Sequence, residues 1–250
     1  ERASLEVTRR QLLASVSHDL KNPINSIKAN AQLALRQIRR GKAIDEVKIE
    51  ETFARIDGLT NRMVLQIEGL MDVALLDAGT QLALELGEVA LGAMARLIVD
   101  QYQATTNIHQ LIVISPPEPA IGFWDAHRLE RVLTNLLTNA IKYSPEGGEI
   151  AFAIATDTDL AGRQWAVLSI KDGGIGIPAA DMPQLFSRFG RGTNVRKRIS
   201  GTGIGLVGVS QIITQHGGTI TVESVEGAGS TFTIRLPLGA GGDPDQASDG

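Results

Sequence analysis

His18 stands in Ser17-His18-Asp19-Leu20-Lys21-Asn22-Pro23, whereas His109, His127 and His216 sit in ordinary surroundings. Leu13, Leu20 and Ile27 mark an apolar helix stripe, so residue 18 is rotated away from it toward solvent. A neutral, exposed imidazole can attack phosphorus, and Asp19 beside it can accept a proton or fix the ring tautomer. Pro23 removes a backbone hydrogen bond and bends or loosens the helix just after the histidine. A plain surface histidine on a solvated helix fits the same residues.

A second cluster lies far along the chain. Asn135 and Asn139 are four apart on one helix, so both amides can point the same way, and Lys142 and Tyr143 follow. Amide oxygens suit a hard cation such as Mg²⁺, which keeps waters and shares substrate phosphates, and Lys142 adds a phosphate donor. After the strand Ala166–Lys171 comes Asp172-Gly173-Gly174-Ile175-Gly176-Ile177-Pro178. Such an Asp can accept a hydrogen bond from an exocyclic amine while glycines let the backbone pass close to a ring. Gly201-Thr202-Gly203-Ile204-Gly205-Leu206 leads into a helix and offers backbone N–H groups and a positive helix end to phosphate. It is neither a P-loop, since no lysine follows the glycines, nor a strand-to-helix dinucleotide fingerprint. Arg188, Arg191, Arg196, Lys197 and Arg198 precede it in a glycine-flanked segment that reads as a lid with cations for phosphate, or as a solvated loop.

The elements that must position these groups fall into two kinds. Apolar residues at spacings of three and four, Leu13 to Ile38 and Ile49 to Ala74, predict two long helices joined near Gly41–Lys48. Such helices fold back as an antiparallel hairpin. Two hairpins would bury a four-helix core, which makes a homodimer natural, although an arm packed on its own second domain uses the same pattern. The rest reads as an α/β layer domain: a strand at Leu82–Leu86, then helix 91–104, strand 111–114, helix 126–143 capped by Asp125 and stopped before Pro145, and strands 149–155 and 165–171. A helix at 203–215 and a hairpin of Thr219–Ser224 with Ser230–Leu236 complete it, and the tail past Pro237 should be disordered. Of 27 glycines, seven precede residue 145 and twenty follow it, so tight turns concentrate in the second part.

Composition narrows the function. With 250 residues the chain holds one or two domains. The absence of cysteine excludes disulfides, thiolate metal sites and thiol nucleophiles. A net charge of −4 gives no overall field for nucleic acid or anionic lipid. No run approaches the ~18–20 apolar residues that span a bilayer, so a cytoplasmic location is expected.

The order of these motifs resembles the transmitter core of sensor histidine kinases. That core joins a dimerisation and phosphoacceptor hairpin to the ATP-binding domain shared with gyrase, the 90 kDa heat-shock chaperone and mismatch-repair ATPases. SHDLKNPI matches the phosphoacceptor box, RVLTNLLTNAIKYSPEGG the N box, DGGIGIP the first glycine box, LFSRFGRG the phenylalanine box and GTGIGL the second glycine box. Asp19, Gly173 and Ile204 stand where Glu, Asn and Leu are commoner.

The resemblance implies a fold of type α + α/β: a hairpin over 1–80 forming a dimeric four-helix bundle, and a Bergerat-type α/β sandwich over 81–238 with a mixed sheet and helices on one face. Residues 239–250 are the tail. It implies ATP and Mg²⁺ as cofactors, His18 as phosphoacceptor, Asp19 as acid/base partner, and Asn22 as the residue that positions water for dephosphorylating a partner. Asn139 would ligate Mg²⁺. Asn135 would lie near the γ-phosphate, Lys142 and Tyr143 against nucleotide, and Asp172 on the adenine amine. Gly174, Gly176, Arg188, Arg191, Gly201, Thr202, Gly203, Gly205 and Leu206 would complete the nucleotide site. The implied partners are a second copy through residues 1–80, a response regulator receiver domain in trans and an upstream sensor, with no nucleic acid. Two other functions use much of the same pattern: an ATP-binding scaffold in which His18 is never phosphorylated, and an ATPase or Ser/Thr kinase on the same nucleotide fold. The His-Asp-x-x-Asn-Pro box on a dimer helix distinguishes the histidine kinase from the latter.

Overall fold

The computed structural model describes residues 21, 23–36, 38–39, 46–77, 83–187, 194 and 205–239. The chain divides into two compact units, 1–78 and 79–250.

In the first unit, residues 23–36 form helix α1 and Glu46–Asp77 form helix α2. The described parts of both predicted long helices are helical, and Pro23 is buried within α1. Several stripe residues are exposed in the single chain: Ile24, Ile38, Phe53 and Ile67 are each more than 40% accessible. No helix among the described residues is long and apolar enough to cross a membrane.

The second unit runs β1 (Leu86–Ala90), α3 (Leu91–Gln103), β2 (His109–Ile114), β3 (Ile121–Asp125), α4 (Ala126–Tyr143), β4 (Gly148–Thr158), β5 (Gln164–Asp172), α5 (Gly205–Gln215), β6 (Thr219–Val225) and β7 (Gly229–Pro237). Five strands form a mixed sheet in the order β2-β4-β5-β7-β6, in which β2 and β4 are parallel and the other pairs antiparallel. The alternation of side chains along its strands sets one face inward. Ile150, Phe152 and Ile154 of β4 stand in register with Asp172, Ile170 and Leu168 of β5, and Ile170 and Leu168 with Phe232 and Ile234 of β7. The apolar members of this array are buried beneath α3, α4 and α5, whereas Lys171 on the opposite face is exposed. The fold is therefore the expected α/β sandwich with helices on one face of a mixed sheet.

One local expectation is corrected. The first strand covers Leu86–Ala90, and the described residues 83–85 of the expected Leu82–Leu86 lie outside it, because its register is set by antiparallel pairing with β3, a strand the sequence pattern did not suggest. Its first residue, Leu86, pairs with Asp125. Helix α4 keeps both predicted ends. Asp125 accepts the Arg128 N–H through Oδ1 at 3.1 Å, and the helix stops one residue before Ser144-Pro145.

Candidate active site

Asp172 owes its position to strand periodicity. It is the next inward residue after Ala166, Leu168 and Ile170, so the carboxyl is carried into the core side of the sheet and left only 5% accessible. Burial raises its pKa above the ordinary carboxylate value, and N–H donors from Gly174 and Ser230 oppose that shift without cancelling it. The Gly174 N–H reaches Oδ1 at 2.9 Å.

The loop after Asp172 is held on two sides. Ile175 N–H donates to Tyr143 O at 2.9 Å, which ties the loop to the end of α4, and Gly227 N–H donates to Ile175 O at 2.8 Å from the β6–β7 turn. Ile177 N–H adds a bond to Ser224 Oγ at 2.9 Å, and Asn194 Nδ2 donates to Gly176 O at 3.2 Å. Gly174 passes so close to α4 that a Cβ there would collide with Tyr143 O and stand 2.7 Å from Ser144 Oγ and 2.8 Å from Asp172 Oδ1. Gly176 has φ +63°, a conformation that side chains rarely adopt, and faces Val225 O. Gly173 by contrast faces open space.

At the middle of α4, Asn139 Nδ2 donates to Asn135 Oδ1 at 3.0 Å, as the i,i+4 spacing predicts. That pair leaves the Asn139 carbonyl oxygen, the hard donor a Mg²⁺ takes, outside the bond. Asn135 lies against the start of α5: a Cβ on Gly205 would stand 2.6 Å from Asn135 Nδ2. The N-terminus of α5 is thereby set beside the two amides, while Leu206 turns onto the core. One turn further along α4, Lys142 Nζ lies 5.0 Å from the centre of the Tyr143 ring.

The structure therefore gathers Asn135, Asn139 and Gly205 at one place on α4, and Asp172 and Gly174 with the Tyr143 backbone at its end. His18, Asp19, Asn22, Arg188, Arg191, Gly201, Thr202, Gly203 and the tail beyond Gly239 lie outside the described residues.

Three polar residues of this unit were not suggested by sequence. Ser144, which reads as a helix stop beside Pro145, is 2% accessible, and its Oγ has no hydrogen-bond partner among the described residues. His109 is buried beside it. Its Nε2 donates to Ser144 O at 2.8 Å, and Nδ1 accepts from Thr106 Oγ1 at 2.7 Å, the tautomer that a carbonyl acceptor requires. His216, at the end of α5, donates from Nδ1 to Ile212 O at 2.7 Å and accepts from Asp125 N–H through Nε2 at 2.9 Å. Burial lowers its pKa and outweighs the Ile212 bond and the Asp125 charge. Asp125 itself stays below the usual range: burial works against its charge, but the N–H groups of Arg128 and Glu85 and the Arg128 guanidinium prevail.

Residues 8–79 match the His Kinase A (phospho-acceptor) domain, and residues 124–240 match the histidine kinase-, DNA gyrase B- and HSP90-like ATPase. Side by side, the two matches support a histidine kinase catalytic core. Among its histidine kinase relatives, the probable sensor histidine kinase TcrY of Mycobacterium tuberculosis is 35% identical over 95% of this chain and 47% of that protein. Sensor histidine kinase WalK of Bacillus subtilis is 30% identical over 95% of this chain and 38% of that protein. The chain thus spans less than half the length of both curated relatives. Among solved structures, the Acinetobacter baumannii histidine kinase AdeS superposes with a TM-score of 0.56 at 25% identity, covering 89% of this chain and 98% of that one.

Proposed function

We propose that this chain is the ATP-dependent core of a sensor histidine kinase that phosphorylates itself on His18 and passes the phosphoryl group to an aspartate of a separate response regulator. The observation that carries the nucleotide half is Asp172, an inward carboxylate at a strand end, braced by a loop whose glycine leaves no room for a side chain. Between Asn135 and Tyr143, α4 advances about 12 Å, which is on the scale of a nucleoside triphosphate laid along it. In this reading Asp172 accepts the adenine amine, and Tyr143 and Lys142 line the middle. Asn135, Asn139 and the start of α5 from Gly205 meet the phosphates, with Gly176, Arg188, Arg191, Gly201, Thr202, Gly203 and Leu206 completing the enclosure.

Asn139 supplies the amide oxygen that would hold Mg²⁺, and the donor set fits a cation that takes most of its ligands from phosphate and water. When bound, Mg²⁺ neutralises phosphate charge as it is transferred. His18, held neutral by Asp19, attacks the γ-phosphorus in line: an N–P bond forms, the bond to the β-phosphate oxygen breaks, ADP leaves and Asp19 takes the imidazole proton. A receiver aspartate then takes the phosphoryl group from His18, and Asn22 positions water for the reverse task of dephosphorylating the regulator. Residues 1–80 form the dimerising hairpin, 81–238 the ATP-binding domain and 239–250 a tail. Exposed Ile24, Ile38, Phe53 and Ile67 support dimerisation, since a second hairpin would cover such a stripe. An upstream sensor acts through the first helix, and the core works on the cytoplasmic side.

Equilibrium titration of the full chain with ATP tests the nucleotide half. Asp172→Asn should weaken binding by at least about tenfold, the scale of one charge-assisted hydrogen bond. Unchanged affinity would overturn the assignment.

A further inference from the structure

Ser144 is the one residue beside the nucleotide-facing carboxylate whose polar group goes unused among the described residues. Its hydroxyl is buried without a partner, an arrangement that costs free energy unless something else needs the group. Its main chain cannot turn away: Ser144 O accepts both His109 Nε2 at 2.8 Å and Gly147 N–H at 2.9 Å. The remaining freedom is rotation of the side chain. A Cβ on Gly174 would stand 2.7 Å from the hydroxyl and 2.8 Å from Asp172 Oδ1, so the two oxygens flank the same small space, not bonded to each other. Glycine at that position keeps the space between the two oxygens open.

Resting on the adenine reading of Asp172, we propose that Ser144 is a positioning residue of the base pocket. Its O–H turns to donate to Asp172 Oδ1 when the base engages the carboxylate. Ser144 Oγ then joins Gly174 N–H on Oδ1, the Ser230 N–H also holds the carboxylate, and the carboxylate edge away from Ser144 faces the exocyclic amine. The carboxylate that accepts the amine is thus oriented from behind by a residue that never touches the base. His109 and Thr106 extend the support, because the His109 ring holds Ser144 in place from the start of β2.

The test is a coupling between Ser144 and the amine. The full chain, Ser144→Ala and Ser144→Cys are titrated calorimetrically with ATP and with purine riboside triphosphate, in which hydrogen replaces the amine. The native chain should prefer ATP by about tenfold or more, and both variants should lose most of that preference while binding the purine analogue as the native chain does. An equal loss for both ligands would mean a merely structural role and would overturn the inference, as would an unchanged preference. If the native chain itself does not distinguish the two ligands, the adenine reading of Asp172 falls first and takes this inference with it. That failure is separable, because it appears without any substitution.

Discussion

Placing a methyl group on each of two adjacent glycines separates a backbone that must touch α4 from one that need not. In Gly174→Ala the new Cβ would collide with Tyr143 O, a main-chain atom that cannot swing aside, and would crowd Ser144 Oγ and Asp172 Oδ1. Relief requires the loop to lift. Lifting it breaks Ile175 N–H to Tyr143 O at 2.9 Å and strains Gly227 N–H to Ile175 O at 2.8 Å and Gly174 N–H to Asp172 Oδ1 at 2.9 Å. At about 1 kcal/mol for each neutral bond and about 1.5–3 for the bond to a carboxylate, partial loss amounts to roughly 2–4 kcal/mol. That lowers Tm by roughly 5–15 °C for a unit of this size. Displacement of the carboxylate should also weaken ATP binding by about tenfold to a hundredfold. In Gly173→Ala the methyl group meets nothing within 4 Å, so stability should change by less than about 0.5 kcal/mol and binding should hold. Both tryptophans, Trp124 and Trp165, lie in the second unit, so fluorescence-detected urea unfolding reads that unit alone. Gly174→Ala proving no worse than Gly173→Ala in melting and in ATP titration would refute the account of the loop.

Further outcomes follow from the buried titrating groups and the phosphoacceptor box. Asp172 has a raised native pKa, so its contribution to stability is complete below about 3.8 and is lost as pH rises through the native value. Asp172→Asn should accordingly be at least as stable as the native chain at neutral pH while binding ATP worse, a split that melting curves across pH would reveal and a parallel loss of both would contradict. His216 has a lowered native pKa, so its contribution is complete above about 6.5 and is lost as pH falls. His216→Ala should remove that acid-side slope. It also leaves the Asp125 N–H and a ring-sized space unfilled, at a cost of about 3 kcal/mol; an unaltered pH slope would assign the acid sensitivity elsewhere. Asn22→Ala should retain autophosphorylation and lose phosphatase activity toward a phosphorylated regulator, and equal loss of both would remove Asn22 from the water-positioning role.

The parts that were legible in sequence share a local cause. Helix α4 carries its start signal, Asp125, and its stop signal, Pro145, within the same segment as its apolar stripe, and the structure begins and ends it there. Asp172 was legible as an edge carboxylate followed by glycines directly after an apolar strand; the structure extends that strand through it, which sets its face and its burial. The parts that were not legible depend on distant partners. The ribbon of β1 and β3 arises from pairing Leu86–Ala90 with Ile121–Asp125, and neither short run declares a strand by itself. His216 looks ordinary because the N–H it accepts belongs to Asp125, 91 positions away. Ser144 was accounted for by the neighbouring proline, and only the packing of Gly174 over it reveals a hydroxyl beside the carboxylate.

Everything proposed for this chain turns on phosphorylation of His18. The most direct measurement is incubation of the full chain with γ-labelled ATP and Mg²⁺ beside His18→Gln, with the label then tested in acid and in alkali. The native chain should carry an acid-labile, alkali-stable label and His18→Gln none. ATP binding without any such label, even after the upstream region is added, would contradict that phosphorylation and leave a nucleotide-binding scaffold.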